Sequence, residues 1–130
     1  MIRRVSTVLL GLFYLLGGIN HFRDPGFYLP MMPDYLPAHL LLVQLSGVAE
    51  IALGVAIWIG PLRRWAAWGI IALLIAVFPA NLHVAIHDIP LGDNAEGLGI
   101  LNWVRLPLQA VLIAWAFWHT RPVPGGPAER

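Results

Sequence analysis

Glu50 stands near the centre of residues 44–58, a run otherwise apolar enough to cross a membrane. A carboxylate at mid-membrane costs at least ~2.5 kcal/mol, so it faces a protein interior, finds a partner or stays protonated. The polar residues able to serve it are Tyr14, His21, Gln44, Asn81, His83, Arg105 and Gln109. Arg105 is the natural counter-charge, although its expected depth differs from that of Glu50 by roughly 12 Å along the helix axes. Helix tilt and a long side chain would have to close that gap. Otherwise Glu50 is neutral or hydrogen-bonded to Gln109 or Tyr14. Such a set can hold a polar head group, with Glu50 or a histidine exchanging a proton. The bland alternative is polar glue, worth only ~0.6 kcal/mol per contact, that sets helix register. The concentration of these groups at one end of the chain's helices favours a ligand or proton site.

Other chemistry is weaker. His83 and His87 are four apart, a spacing that can grip a metal on a helix, but two ligands are too few and no metal site is assigned. His21 and His83 could supply two axial ligands to haem, yet a histidine near a helix end more often marks the membrane interface. There is no cysteine, which excludes an iron–sulfur cluster, dithiol chemistry and a thiolate-bound metal. A redox role would therefore use a bound cofactor, with quinone the candidate, or a partner protein.

The elements that position these groups are apolar helices. The 130 residues are 58% hydrophobic and only 12% charged, about half the charge of a soluble domain. Four segments reach the roughly 20 apolar residues of a spanning helix: 5–22, 39–59, 65–87 and 103–119. They use most of the chain and leave no room for a soluble catalytic module. The expected fold is all-α, a single membrane-spanning four-helix up-and-down bundle over residues 1–130.

Helical spacing assigns the faces. Gly11, Tyr14, Gly18 and His21 share one face of the first segment, and Gln44, Gly47, Glu50 and Gly54 one face of the second. Glycines there mark close helix contact. The third segment carries a stripe of Gly69, Ala72, Ala76, Ala80, His83 and His87, and Pro79 frees the carbonyl of Ile75. The fourth carries Asn102, Arg105 and Gln109, with Pro107 read in its first turns. These faces enclose an expected polar pocket between the four helices, open to the outer side, with no comparable polar set in the other half. Residues 23–38 hold four prolines among aromatic and apolar residues, which suits a short interfacial segment or lid. Residues 88–101 and 122–130 read as an exposed acidic loop and a flexible tail.

All eight basic residues are arginine. Arg3, Arg4, Arg63, Arg64, Arg121 and Arg130 fall on one side of the four-span arrangement, so both termini are expected in the cytoplasm of a bacterial-type inner membrane. Arg3-Arg4 before an apolar run also permits a signal peptide, but the run is long and lacks a good cleavage site. A net charge of +1 gives no reason to expect a nucleic-acid partner. The bilayer, a redox partner protein and further copies of the chain are the partners to consider.

Four stretches, one per segment, resemble the DoxX family of small membrane proteins: Gly17-Gly18-Ile19-Asn20-His21-Phe22, then Ser46-Gly47-Val48-Ala49-Glu50-Ile51-Ala52-Leu53-Gly54, then Phe78-Pro79-Ala80-Asn81-Leu82-His83, and Asn102-Trp103-Val104-Arg105-Leu106-Pro107-Leu108-Gln109. The resemblance implies a four-helix membrane bundle. It also implies an accessory role beside redox enzymes, since the family takes its name from a subunit of a thiosulfate:quinone oxidoreductase. It carries over no catalytic residues. A non-enzymatic binder or carrier of a small amphiphile, or an assembly factor, is the alternative.

Overall fold

The computed structural model describes residues 1–91 and 99–122. Among them all regular structure is helical: α1 (Ile2–Arg23), α2 (Pro25–Tyr28), a 3-10 turn at Leu29–Met31, α3 (His39–Ala56), a 3-10 turn at Gly60–Leu62, α4 (Arg63–His87) and α5 (Ile100–Thr120). The first helix, α3, α4 with its preceding turn, and α5 are each long and apolar enough to cross a membrane. Residues 92–98 of the expected acidic loop and 123–130 of the expected tail lie outside the described residues.

Proline and left-handed backbone set the boundaries. Pro25 opens α2 at a position where its missing N–H costs nothing. The chain leaves α4 at Asp88, in the left-handed region at φ 46°, which a short polar side chain tolerates. The same Asp88 carboxylate accepts from Gly99 N–H and from the Asn102 amide, each at 2.9 Å, and so ties the end of α4 to the start of α5. Because α5 begins at Ile100, Pro107 is inside the helix and not in its first turns.

Glycine joins α1 to α3. A Cβ on Gly18 would lie 2.6 Å from Gly47 O, and one on Gly54 would lie 2.8 Å from Gly11 O. The two backbones therefore touch, with the helices running in opposite directions. All four residues assigned to the buried face of α1 are buried. On α3, Gly69 of α4 packs against Leu53. Leu10, Tyr14, Ile57, Ala67, Ile70, Leu74 and Ala116 form the main apolar core. A smaller cluster of Met31, Val84 and Leu91 sits under α2, with Phe27 and Tyr28 packed on it.

The small-residue stripe of α4 is not its packed face. Ala66, Ala67, Ile70, Ile71, Leu74, Val84 and Ala85 are buried, whereas Ala72, Ala76 and His87 are exposed. Branched side chains with Ala66, Ala67 and Ala85 fill the space between these helices, and Ala72 and Ala76 face outward.

Candidate functional site

Glu50 meets His21. The register of α1 on α3 puts Glu50 level with Leu15, about 12 Å from the far end of α1 at 1.5 Å per residue. Helical side chains lean toward the helix N-terminus, so the Glu50 carboxylate rises toward His21. The His21 Nε2 to Glu50 Oε2 distance is 3.4 Å, the one ion pair among the described residues. His21 Nδ1 lies 2.8 Å from Val43 O. A carbonyl only accepts, so Nδ1 carries a proton and donates it. Nε2 then faces a carboxylate oxygen at 3.4 Å, and a proton placed between them would join the two as imidazolium with carboxylate or imidazole with carboxylic acid.

The short helix α2 covers this pair. Tyr28 stacks on the His21 ring at 3.9 Å between centroids and accepts a 2.9 Å hydrogen bond from the Asn20 amide. Burial holds its phenol above the ordinary value, and Glu50 and Asp24 add to the rise, while the Asn20 bond and Arg105 oppose it. The proline-rich segment is thus packed onto the helices through Phe27, Tyr28 and Met31.

A groove of about 580 Å³ runs along α1 beside the pair, lined by Phe13, Tyr14, Leu16, Gly17, Ile19, Asn20, Arg23, Tyr28 and Glu50. Its α1 wall includes Phe13, Leu16 and Ile19, all on the outside of the molecule. The Glu50 side chain keeps 18% of its surface. Tyr14 is only 3% exposed, and its hydroxyl has no hydrogen-bond partner among the described residues. An orphaned buried hydroxyl forfeits about 1–3 kcal/mol. It belongs to a residue that lines the groove beside Glu50.

The expected single pocket between four helices is therefore two separate polar sites. Arg105 does not reach Glu50; its guanidinium donates to Asn81 Oδ1 at 3.1 Å and approaches Met31 Sδ at 3.8 Å. Asn81 donates to Gln109 Oε1 at 2.6 Å, and Gln109, 4% exposed, donates to Leu74 O at 2.6 Å. This one-way chain between α4 and α5 ends one residue from the carbonyl that Pro79 frees. The Asn81 oxygen accepts from Arg105, which gives the charge an acceptor without a carboxylate. His83 lies apart from both, half-buried against His87 with ring centroids 4.4 Å apart. Gln44 is exposed and belongs to neither site. Both nitrogens of His21 are engaged, so the His21 and His83 pair does not fit haem iron. Among the described residues no three His, Asp or Glu side chains gather as a metal site would need.

A third polar site, at the end of the molecule holding Met1, was not expected from sequence. His119 is 1% exposed. Trp115 Nε1–H donates to Ser6 Oγ at 2.8 Å, and Ser6 Oγ lies 2.9 Å from His119 Nε2. Thr7 Oγ1 lies 3.5 Å from His119 Nδ1 and donates to Arg3 O at 2.8 Å. One neutral tautomer satisfies every member. Arg3 donates to the carbonyls of Trp118 and Arg121, closing the end of α5. The signal that could have found this site is Trp115 and His119 at i, i+4, on one face, opposite two hydroxyls in an apolar helix.

The fold and this groove define a class: an all-helical chain with four helices long enough to cross a membrane and a carboxylate–histidine pair beside a side-facing groove. The chain belongs to the family described as Domain of unknown function (DUF8561), which residues 10–120 match. No curated protein matches the chain. No solved structure matches it either.

Proposed function

We propose that the protein is a multi-pass inner-membrane protein whose α1–α3 groove binds the head group of a membrane-dissolved amphiphile of the quinone class. The four long helices form an up-and-down bundle across the bilayer, with the Met1 end and Arg63 and Arg64 in the cytoplasm. The arginine distribution supports that orientation. Reporter fusions at Arg121 and Leu91 reporting the same side would contradict it.

The observation that carries the reading is the Tyr14 hydroxyl, buried without a partner beside Glu50. A carbonyl oxygen in the groove would accept from it, and the Glu50–His21 pair would supply or take up a proton. The chain has no cysteine and no cluster of ligands for a redox metal among the described residues, so the electrons for quinone chemistry come from a partner protein. That makes it an accessory subunit of a membrane redox system. The resemblance to the DoxX family in four stretches supports the same role.

The test is an inventory of lipids retained by protein purified in mild detergent, made for wild type and Glu50→Gln. Wild type should retain quinone, and Glu50→Gln should lose at least ~90% of it, a difference of about 1.4 kcal/mol. Equal retention, or none in wild type, would refute the site. Retention of a different amphiphile in a Glu50-dependent way would favour a non-redox binder or carrier.

A further inference from the structure

We infer that Gly17 is the window through which ligand reaches Glu50, and that the ligand arrives sideways from the acyl-chain region and not from water. This rests on the membrane reading above but not on the identity of the ligand. A Cβ at residue 17 would lie 3.1 Å from Glu50 Oε2 and 4.0 Å from its Cδ. The missing side chain is therefore what uncovers the carboxylate on the groove side. Gly17 does not serve helix contact as its neighbours do. A Cβ on Gly18 meets Gly47 O at 2.6 Å and Ile51 N at 2.8 Å, and one on Gly47 meets Gly18 O at 3.0 Å, whereas Gly17 meets only the end of one side chain. Gly17 also lies in unbroken helix, without the positive φ that would demand glycine. Packing and backbone geometry leave the glycine unexplained; access explains it.

The surroundings of the window give its selectivity. Phe13, Leu16 and Ile19 flank it on the outer surface of α1, 50%, 61% and 45% exposed. In a bilayer these contact acyl chains. Tyr28 and Asn20 cover the pair on the side toward the helix ends, and Arg23 marks the end of the groove there. A ligand entering across the apolar flank carries a tail and an uncharged head, since a charged head would lose its hydration on that path. Within the groove the head meets donors of Tyr14, Asn20, Arg23 and Tyr28 and, beside Gly17, the Glu50 carboxyl that faces His21.

A lipid-soluble carbodiimide tests the route without a known ligand. It adds to a protonated carboxyl group, the acid proton going to a carbodiimide nitrogen and the carboxylate oxygen to its central carbon. Rearrangement to a stable acylurea expels nothing, and mass spectrometry reads the full added mass. In protein reconstituted in vesicles, Glu50 should be labelled by the dicyclohexyl reagent and at least tenfold less by a water-soluble carbodiimide. Gly17→Val should cut labelling at least tenfold, with the melting temperature unchanged, and Gly17→Ala should cut it less. Gly18→Ala should lower the melting temperature instead. Labelling of Gly17→Val at the wild-type rate would overturn the inference. So would equal reaction with both reagents, no reaction of wild type, or a loss of stability in Gly17→Ala matching that of Gly18→Ala. An alkyl-tailed benzoquinone should slow the labelling of wild type. Failure of that arm alone would sink the quinone reading and leave the window standing.

Discussion

Two buried histidines at opposite ends of the molecule do different work. His119 is surrounded by hydroxyls and an indole, with every donor matched to an acceptor around one neutral ring. His21 faces a carboxylate that a single proton would join to it, and beside it lie a groove and a hydroxyl unmatched among the described residues. Around the His119 ring the network is closed, and adding a ligand there would break hydrogen bonds, although Arg3 Nε at the same end is buried without a partner among the described residues. The second network is left open beside a groove, and a ligand would complete it. Polar residues in a membrane bundle can be glue or site, and an unmatched group on a residue that lines a groove marks the site better than burial does.

The largest expected effect is at the closed end. His119→Ala removes a fully buried ring and strands the Ser6 hydroxyl and its neighbours, for a loss of about 2–4 kcal/mol. Thermal denaturation in detergent should show it, with amphiphile retained per folded molecule unchanged. A stable variant that lost its amphiphile would reverse the roles of the two ends.

A smaller effect distinguishes partners. Glu50→Gln and His21→Ala should couple by about 0.5–3 kcal/mol in a double-mutant cycle, because the residues touch. Glu50→Gln and Arg105→Gln should add to within about 0.5 kcal/mol, since Arg105 answers to Asn81 and not to Glu50. Coupling of Glu50 to Arg105 and not to His21 would mean that the polar groups form one pocket after all.

Sequence made the four long helices legible, because length and apolar content alone define them. It also made the α1 face legible, because Gly11, Tyr14, Gly18 and His21 fall on one stripe of a helix with polar marks. The partner of Glu50 was not legible. Depth counted along the axis ignores both the lean of helical side chains toward the N-terminus and the register that Gly18 and Gly47 impose. Gln44 was misplaced because it lies about 120° around the helix from Glu50 at 3.6 residues per turn; glycines midway between them suggested a shared face. On α4 periodicity carried little information, since the helix is apolar on all sides, and Ala72 and Ala76 of the expected stripe face outward. The His119 network joins residues over a hundred positions apart, a contact no local spacing encodes.

Tyr14→Phe has the smallest expected effect on stability and bears on binding itself. The Tyr14 hydroxyl has no partner among the described residues, and a bound head group would match it. Deleting it should leave the melting temperature of ligand-free protein equal or slightly higher, by up to about 1 kcal/mol in stability. Retention of the amphiphile should fall about tenfold, equivalent to about 1.4 kcal/mol. A Tyr14→Phe protein that is less stable without ligand, or that retains amphiphile as wild type does, would contradict the claim that this groove is a binding site.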